Sequence, residues 1–239
     1  MHLTRFFSSL FAATALLGGA FLQAENWPSW RGPAYNGSTT EESAPSSFSK
    51  TKNVKWVIDL PGTGHSTPVV WGDAVFLTSV DEDAGGVVAM RVNAADGKVV
   101  WSKKYGDGVS QDNRSTYAGP SPATDGKTVV FFTGSGDLVA YDFDGNEKWK
   151  INIQEKYGPF AFGWTFSTSP LFHDGKIYMQ VLQRDVPAGG RGFKDKKNES
   201  YLLALNPADG SEIFRVIRDS EALMESREAF TSPIPITHD

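Results

Sequence analysis

The residues able to do chemistry are few in this sequence, and they are widely spaced. The four histidines, His2, His65, His173 and His238, stand alone. No His-x-x-x-His, Gly-x-Ser-x-Gly or phosphate-loop spacing ties any of them to a second group. His65 follows Gly62-Thr63-Gly64 and is placed to line a loop face, although a single imidazole is more often solvated or structural. Asp81, Glu82 and Asp83 form a run that would suit a hard cation, and an exposed hairpin tip accounts for it equally well. Gly134-Ser135-Gly136 reads as a turn between strands and opens no helix, so it is no phosphate cradle. Cysteine is absent, which excludes disulfides, thiolate nucleophiles, haem attachment and Cys-ligated metals. A net charge of −5 with no basic block argues against a nucleic-acid partner, whose phosphates are met by clustered Lys and Arg.

What remains is two loops rich in recognition residues. Gly106 to Gly119 contains Arg114 and Tyr117, and Tyr157 to Thr168 contains Phe160, Phe162, Trp164 and Phe166. Aromatic faces beside a guanidinium suit an envelope protein, a peptide or a carbohydrate. Arg114, Tyr117, Phe162 and Trp164 are therefore the candidate ligand-binding residues. The competing reading is that the phenylalanines pack between neighbouring units. No catalytic, cofactor-binding or metal-binding residue is assigned.

The elements that would position these loops repeat along the chain. Ser66-Thr67-Pro68, Pro120-Ser121-Pro122, Thr168-Ser169-Pro170 and Thr231-Ser232-Pro233 each lead into a short apolar run, and the prolines lie 54, 48 and 63 residues apart. The first three runs continue through a Gly-containing turn into a β-branched and aromatic segment. Each copy then closes on a tight turn and an aromatic: Asp96-Gly97 before Trp101, Asp144-Gly145 before Trp149, Asp209-Gly210 before Phe214. Four strands per repeat at this period indicate all-β blades of a β-propeller, with the closing aromatics packed between blades. Length variation falls in loops, the longest being Arg184 to Ser200. Val54 to Asp59 reads as the last strand of a further blade, with Trp56 at the closing position. About three blades plus orphan strands would make an incomplete ring, as in the N-terminal part of a longer protein.

The first 24 residues carry Arg5, an apolar run from Phe6 to Leu17, a Gly18-Gly19 break and Leu22-Gln23-Ala24 before Glu25. They read as a cleaved signal peptide. The expected organisation is 1–24 signal peptide, 25–53 lead-in segment and 54–239 propeller blades. The protein would be periplasmic or extracellular, with no transmembrane span after cleavage and no Cys for a lipid anchor.

The closing segments resemble the tryptophan-docking repeat of PQQ-like β-propellers, best at Ala140, Asp142, Gly145 and Trp149. Ala204, Asn206, Gly210 and Phe214 match with an aromatic swap, and Arg91, Asn93, Gly97 and Trp101 with the Ala replaced. Trp27-Pro28-Ser29-Trp30-Arg31-Gly32-Pro33 resembles the Trp-Pro-x-x-Arg-Gly-Pro motif of exported proteins similar to the outer-membrane assembly factor BamB. The resemblance implies a non-enzymatic envelope scaffold that binds a protein or small ligand. The alternative it implies is a quinoprotein-type oxidoreductase using PQQ and calcium, whose cofactor residues lie outside this chain. Trp27 and Trp30 are expected to cover an edge or pore mouth of the ring.

Overall fold

The computed structural model describes residues 25–42 and 44–238. The expected signal peptide lies outside the described residues. The regular structure is almost entirely β, arranged as three antiparallel sheets of four sequential strands. Blade 1 comprises β1 (Val69–Trp71), β2 (Ala74–Asp81), β3 (Gly86–Asn93) and β4 (Val99–Asp107). Blade 2 comprises β5 (Ala123–Thr124), β6 (Thr128–Phe132), β7 (Asp137–Asp142) and β8 (Glu147–Asn152), followed by a short helix α1 (Ile153–Tyr157). Blade 3 comprises β9 (Leu171–His173), β10 (Lys176–Val181), β11 (Tyr201–Leu205) and β12 (Glu212–Ile217). The three blades are those of a β-propeller, as the repeat predicts.

Strand periodicity explains how one blade serves two neighbours, since successive side chains point to opposite faces. On β2, Phe76 joins the core shared with blade 2, while Leu77 faces the other way with Val88, Met90 and Val92. On β6, Phe131 packs toward blade 1 and Phe132 toward blade 3.

Two repeated contacts link the blades. The first uses the closing tryptophans. The indole Nε1 of Trp56, Trp101 and Trp149 donates to the carbonyl of Ala94, Phe143 and Pro207 respectively, each at 2.9 Å. The same rings lie against the turn glycines Gly97, Gly145 and Gly210, where a Cβ would sit at 2.8, 3.0 and 2.7 Å from the indole. These glycines have φ of 75°, 85° and 69°, so the position requires both the left-handed backbone and the missing side chain. The Asp or Asn two residues after the motif alanine position is explained too: Asn93, Asp142 and Asn206 accept backbone N–H groups of their own turns.

The second contact runs close to the axis. The Thr67 N–H donates to Ser121 Oγ, the Ser121 N–H to Ser169 Oγ, and the Ser169 N–H to Ser232 Oγ, every bond 2.9 Å long. The residue before each repeated proline thus ties one blade to the next.

Two expected strands take a different form. Val54 to Asp59 makes no ladder among the described residues; it lies extended on blade 1, with Trp56 and Ile58 packed against Leu77, Val88, Met90 and Val92. A strand is defined by its ladder, and here side-chain docking alone holds the segment. The fourth Ser-Pro copy at Ser232-Pro233 likewise forms no strand, although Ser232 completes its rung of the serine ladder. Phe214, at the closing position of blade 3, is 37% exposed and touches Tyr178 at 6.2 Å between ring centroids.

The lead-in segment crosses the inner edges of all three blades. Trp27 exchanges two backbone hydrogen bonds with Val70 of β1 (2.8 and 2.9 Å), and the Pro28 carbonyl accepts from Thr124 of β5 at 2.9 Å. Tyr35 meets His173 of blade 3 edge to face at 6.2 Å. Gly32, at φ 72°, lets the chain fold back over the Trp27 ring. The tryptophan motif therefore packs along the inner strands of the blades, at an edge.

Candidate functional site

In each meander the first and third turns lie at one end of the blade. The lead-in segment covers that end. The second turn and the connections between blades lie at the opposite end, where the two recognition loops meet. The Arg114 guanidinium stacks on the Trp164 ring, 3.8 Å from its centroid, and Trp164 is 38% exposed. Gln111 Nε2 donates to the Trp164 carbonyl at 2.7 Å. Asp112 fastens the two loops together: its Oδ2 accepts both the N–H and the hydroxyl of Thr165 at 2.6 Å. Its Oδ1 accepts the N–H groups of Arg114 and Ser115. Burial pushes the Asp112 carboxyl upward, but the donors from Thr165, Arg114 and Ser115 outweigh it and bring the pKa to about 2.

The other two sequence candidates divide. Tyr117 is half-buried beneath this rim, its ring against Gly108 and Gly134. Burial raises its phenol, with Arg191 opposing and Asp112 reinforcing the shift. Phe162 is 1% exposed and stacks on Phe166 at 4.4 Å, with Phe160 and Phe230 around it. Phe162 is therefore a packing residue of the core between blades 2 and 3, and Trp164 alone of that aromatic cluster reaches the surface. Apolar period cannot tell these apart, because Phe160, Phe162, Trp164 and Phe166 alternate identically in the sequence.

Sequence reading misses the support beneath the rim. The Glu228 side chain is buried and accepts the Gly163 N–H through both carboxylate oxygens, at 3.2 and 3.1 Å, while pairing with Arg184. Arg191 Nη2 donates to the carbonyls of Phe162 (2.6 Å) and Gly163 (3.1 Å). These partners lie 28 to 65 residues from Gly163 in sequence, and no local pattern signals them.

Beside the rim, a cleft of about 240 Å³ enters the axis of the blades. His65, Ser115, Ser167 and Ser232 line it, and Trp30 of the lead-in segment forms its floor. Ser115 and Ser167 belong to the same loops as Arg114 and Trp164, so rim and cleft are one continuous surface. Hydroxyls, an imidazole and an indole are groups that recognise other hydroxyls and amides through paired donors and acceptors.

Among the described residues, no group of three or more His, Cys, Asp or Glu side chains is gathered to hold a metal. The acidic run is a hairpin tip, in which Asp81 Oδ1 accepts the Ala84 N–H at 2.9 Å. No described helix is long and apolar enough to cross a membrane.

Residues 46–184 match the family described as outer membrane protein assembly factor BamB, the PQQ_2 repeat family. The chain belongs to this family. Among curated relatives, a polyvinylalcohol dehydrogenase of a Pseudomonas species is 30% identical over 166 residues, covering 68% of this chain and 24% of the relative. The enzyme of the same name from Sphingopyxis sp. (strain 113P3) is 29% identical over 197 residues, covering 80% and 28%. The chain thus spans about a quarter of the length of the curated relatives it matches. A quinohemoprotein alcohol dehydrogenase structure from Comamonas testosteroni superposes on 82% of the chain and 27% of that protein, with a TM-score of 0.56 at 17% identity. That likeness shows the shared propeller fold.

Proposed function

We propose that these blades are the substrate-side part of an exported dehydrogenase that oxidises alcohol groups, of the quinoprotein type. The observation that carries this reading is the 30% identity to a polyvinylalcohol dehydrogenase across 68% of the chain. The cleft chemistry agrees with it: Ser115, Ser167, His65 and Trp30 present a hydroxyl-recognising wall in an otherwise acidic protein. Arg114 and Trp164 stand at its mouth, and Tyr117 braces them from below.

The described residues do not fit the metal half of a quinone–calcium centre, since they gather no cluster of carboxylates to supply the oxygen ligands. PQQ and calcium would be held by residues other than these, and the blades described here supply access and recognition. The test is dye-linked alcohol oxidation by the full-length protein supplied with PQQ and Ca²⁺, using polyvinyl alcohol and secondary alcohols. Quinone-dependent dye reduction is expected. Its absence with every alcohol sinks the reading.

A second reading rests on the family description itself, an assembly factor. On that reading the Arg114–Trp164 rim binds an envelope protein, a peptide or a carbohydrate and no reaction follows. Capture of an envelope partner by the full-length protein, lost on replacing Arg114 and Trp164 together, favours it if dye reduction fails.

A further inference from the structure

The serine ladder leaves part of its hydrogen-bonding capacity unused. Ser121, Ser169 and Ser232 each accept a backbone N–H through Oγ. A serine that accepts in this way keeps its O–H as a donor. Among the described residues, none of the three hydroxyls donates to a protein acceptor, although Ser121 and Ser169 are only 2% and 4% exposed. All three line the axial cleft of about 240 Å³, together with Ser115 and Ser167 of the rim loops. The hydroxyls of Ser115 and Ser167 have no protein partner among the described residues either. Five donors without acceptors therefore share one cavity.

The charge around this cavity has one sign. No Asp or Glu lines the cleft, and none lines the adjoining crevice that Arg31 shares with Ser169 and Ser232. Arg31 lies over the Trp30 ring, 4.6 Å from its centroid, and forms no ion pair among the described residues. Arg114, stacked on Trp164 beside Ser115, forms none either. The carboxylate of that loop, Asp112, is already committed to four donors from Arg114, Ser115 and Thr165. In a chain with a net charge of −5, the cleft thus lies between two guanidinium groups that have no counter-charge.

We propose that the axial cleft binds a tetrahedral oxyanion, a phosphate or sulfate group, through the hydroxyls of Ser115, Ser121, Ser167, Ser169 and Ser232. Arg31 and Arg114 supply the attractive field from its two ends. A single alcohol oxygen accepts two donors at most, whereas an oxyanion has lone pairs for all five. The donors come from the leads of successive blades and from both rim loops. That spread suits a group with acceptors on every side better than a planar carboxylate, which offers them at one end. Hydrogen bonds to an ionised acceptor are also stronger than those to a neutral one. The cleft is larger than one such group and leaves room for bridging waters or an ester substituent. Oxyanion binding does not rest on the dehydrogenase reading; where both hold, oxyanion and alcohol compete for the cleft.

The experiment is calorimetric titration of the full-length protein, without quinone or dye, so its result is independent of any oxidation. The probes are inorganic phosphate, inorganic sulfate, methyl phosphate and acetate. Binding of phosphate or sulfate is expected, about tenfold or more tighter than acetate, and weaker as salt is raised. Methyl phosphate separates the two sources of the group: tighter binding than inorganic phosphate assigns an ester, weaker binding a free ion, and both support the site. Replacing Ser115→Ala and Ser167→Ala together is expected to weaken binding about tenfold, and Arg31→Gln about fivefold. None of these residues forms a rung of the ladder, so the blades keep their contacts. Lys127→Gln removes an exposed charge from the first turn of blade 2 and leaves affinity unchanged. No binding of either inorganic ion, acetate bound as tightly as both, or full affinity in the folded serine and Arg31 variants overturns the proposal.

Discussion

The hydroxyl of Ser169 accepts the backbone N–H of Ser121 at 2.9 Å, across 48 residues of sequence and the boundary between two blades. Both serines are buried. A buried N–H deprived of its acceptor costs about 1–3 kcal/mol. Ser169→Ala is therefore expected to lower unfolding free energy by that amount in a urea titration. A change below about 0.5 kcal/mol would show that water replaces the rung.

Trp149 offers a way to separate packing from hydrogen bonding. Trp149→Phe keeps a ring over Gly210 but loses the bond to the Pro207 carbonyl, an expected loss of about 0.5–1.5 kcal/mol. Trp149→Ala also empties the interblade space, and about 3–5 kcal/mol is expected. Equal losses for the two variants, read from denaturant midpoints, would contradict the docking account.

The ion pair under the rim should be costly to break from one side. Glu228 has a side chain only 2% exposed, and it holds Arg184 and the Gly163 N–H together. Glu228→Ala leaves Arg184 with only the exposed Glu225, at 3.7 Å, as counter-charge and takes the side-chain acceptor from the Gly163 N–H, an expected penalty of about 1–3 kcal/mol. The loop carrying Trp164 should then become protease-sensitive before the blades unfold; simultaneous loss of both would show that the rim is not an independent unit.

Asp112 gives the rim an acid limit. Its folded pKa, about 2, lies below the ordinary carboxylate value, so its contribution is complete above about pH 4 and is lost as pH falls through 2. The Thr165 amide resonance should titrate in that window. Asp112→Asn should abolish the titration; an unchanged profile in that variant would assign it to another group.

The repeat and its blades were legible in the sequence because each copy carries its own local signals: a Ser-Pro or Thr-Pro lead, a turn glycine and a closing aromatic. Those signals follow from backbone rules that act within ten residues. Gly97, Gly145 and Gly210 could be read as turn residues, but that they also make room for a tryptophan from the preceding blade could not. Val54 to Asp59 has the composition of a strand, yet composition does not supply a ladder. At the rim, Arg114 and Trp164 were visible as residue types and the structure stacks them. Phe162 looked equivalent and is buried, because burial depends on which way one alternating loop faces. Asp112, Glu228, Arg184 and Arg191 act across blades, and their placement is a property of the assembled fold.

The serine ladder also bears on how such proteins arise. Each rung has the same donor and acceptor atoms and the same sense, so every blade presents one standard plug to its successor and one standard socket to its predecessor. The tryptophan contact repeats with the same polarity. A copied blade inserted by gene duplication would find both of its boundaries already compatible. Ring size can then change in whole-blade steps, while the loops that carry recognition diverge freely at the rim.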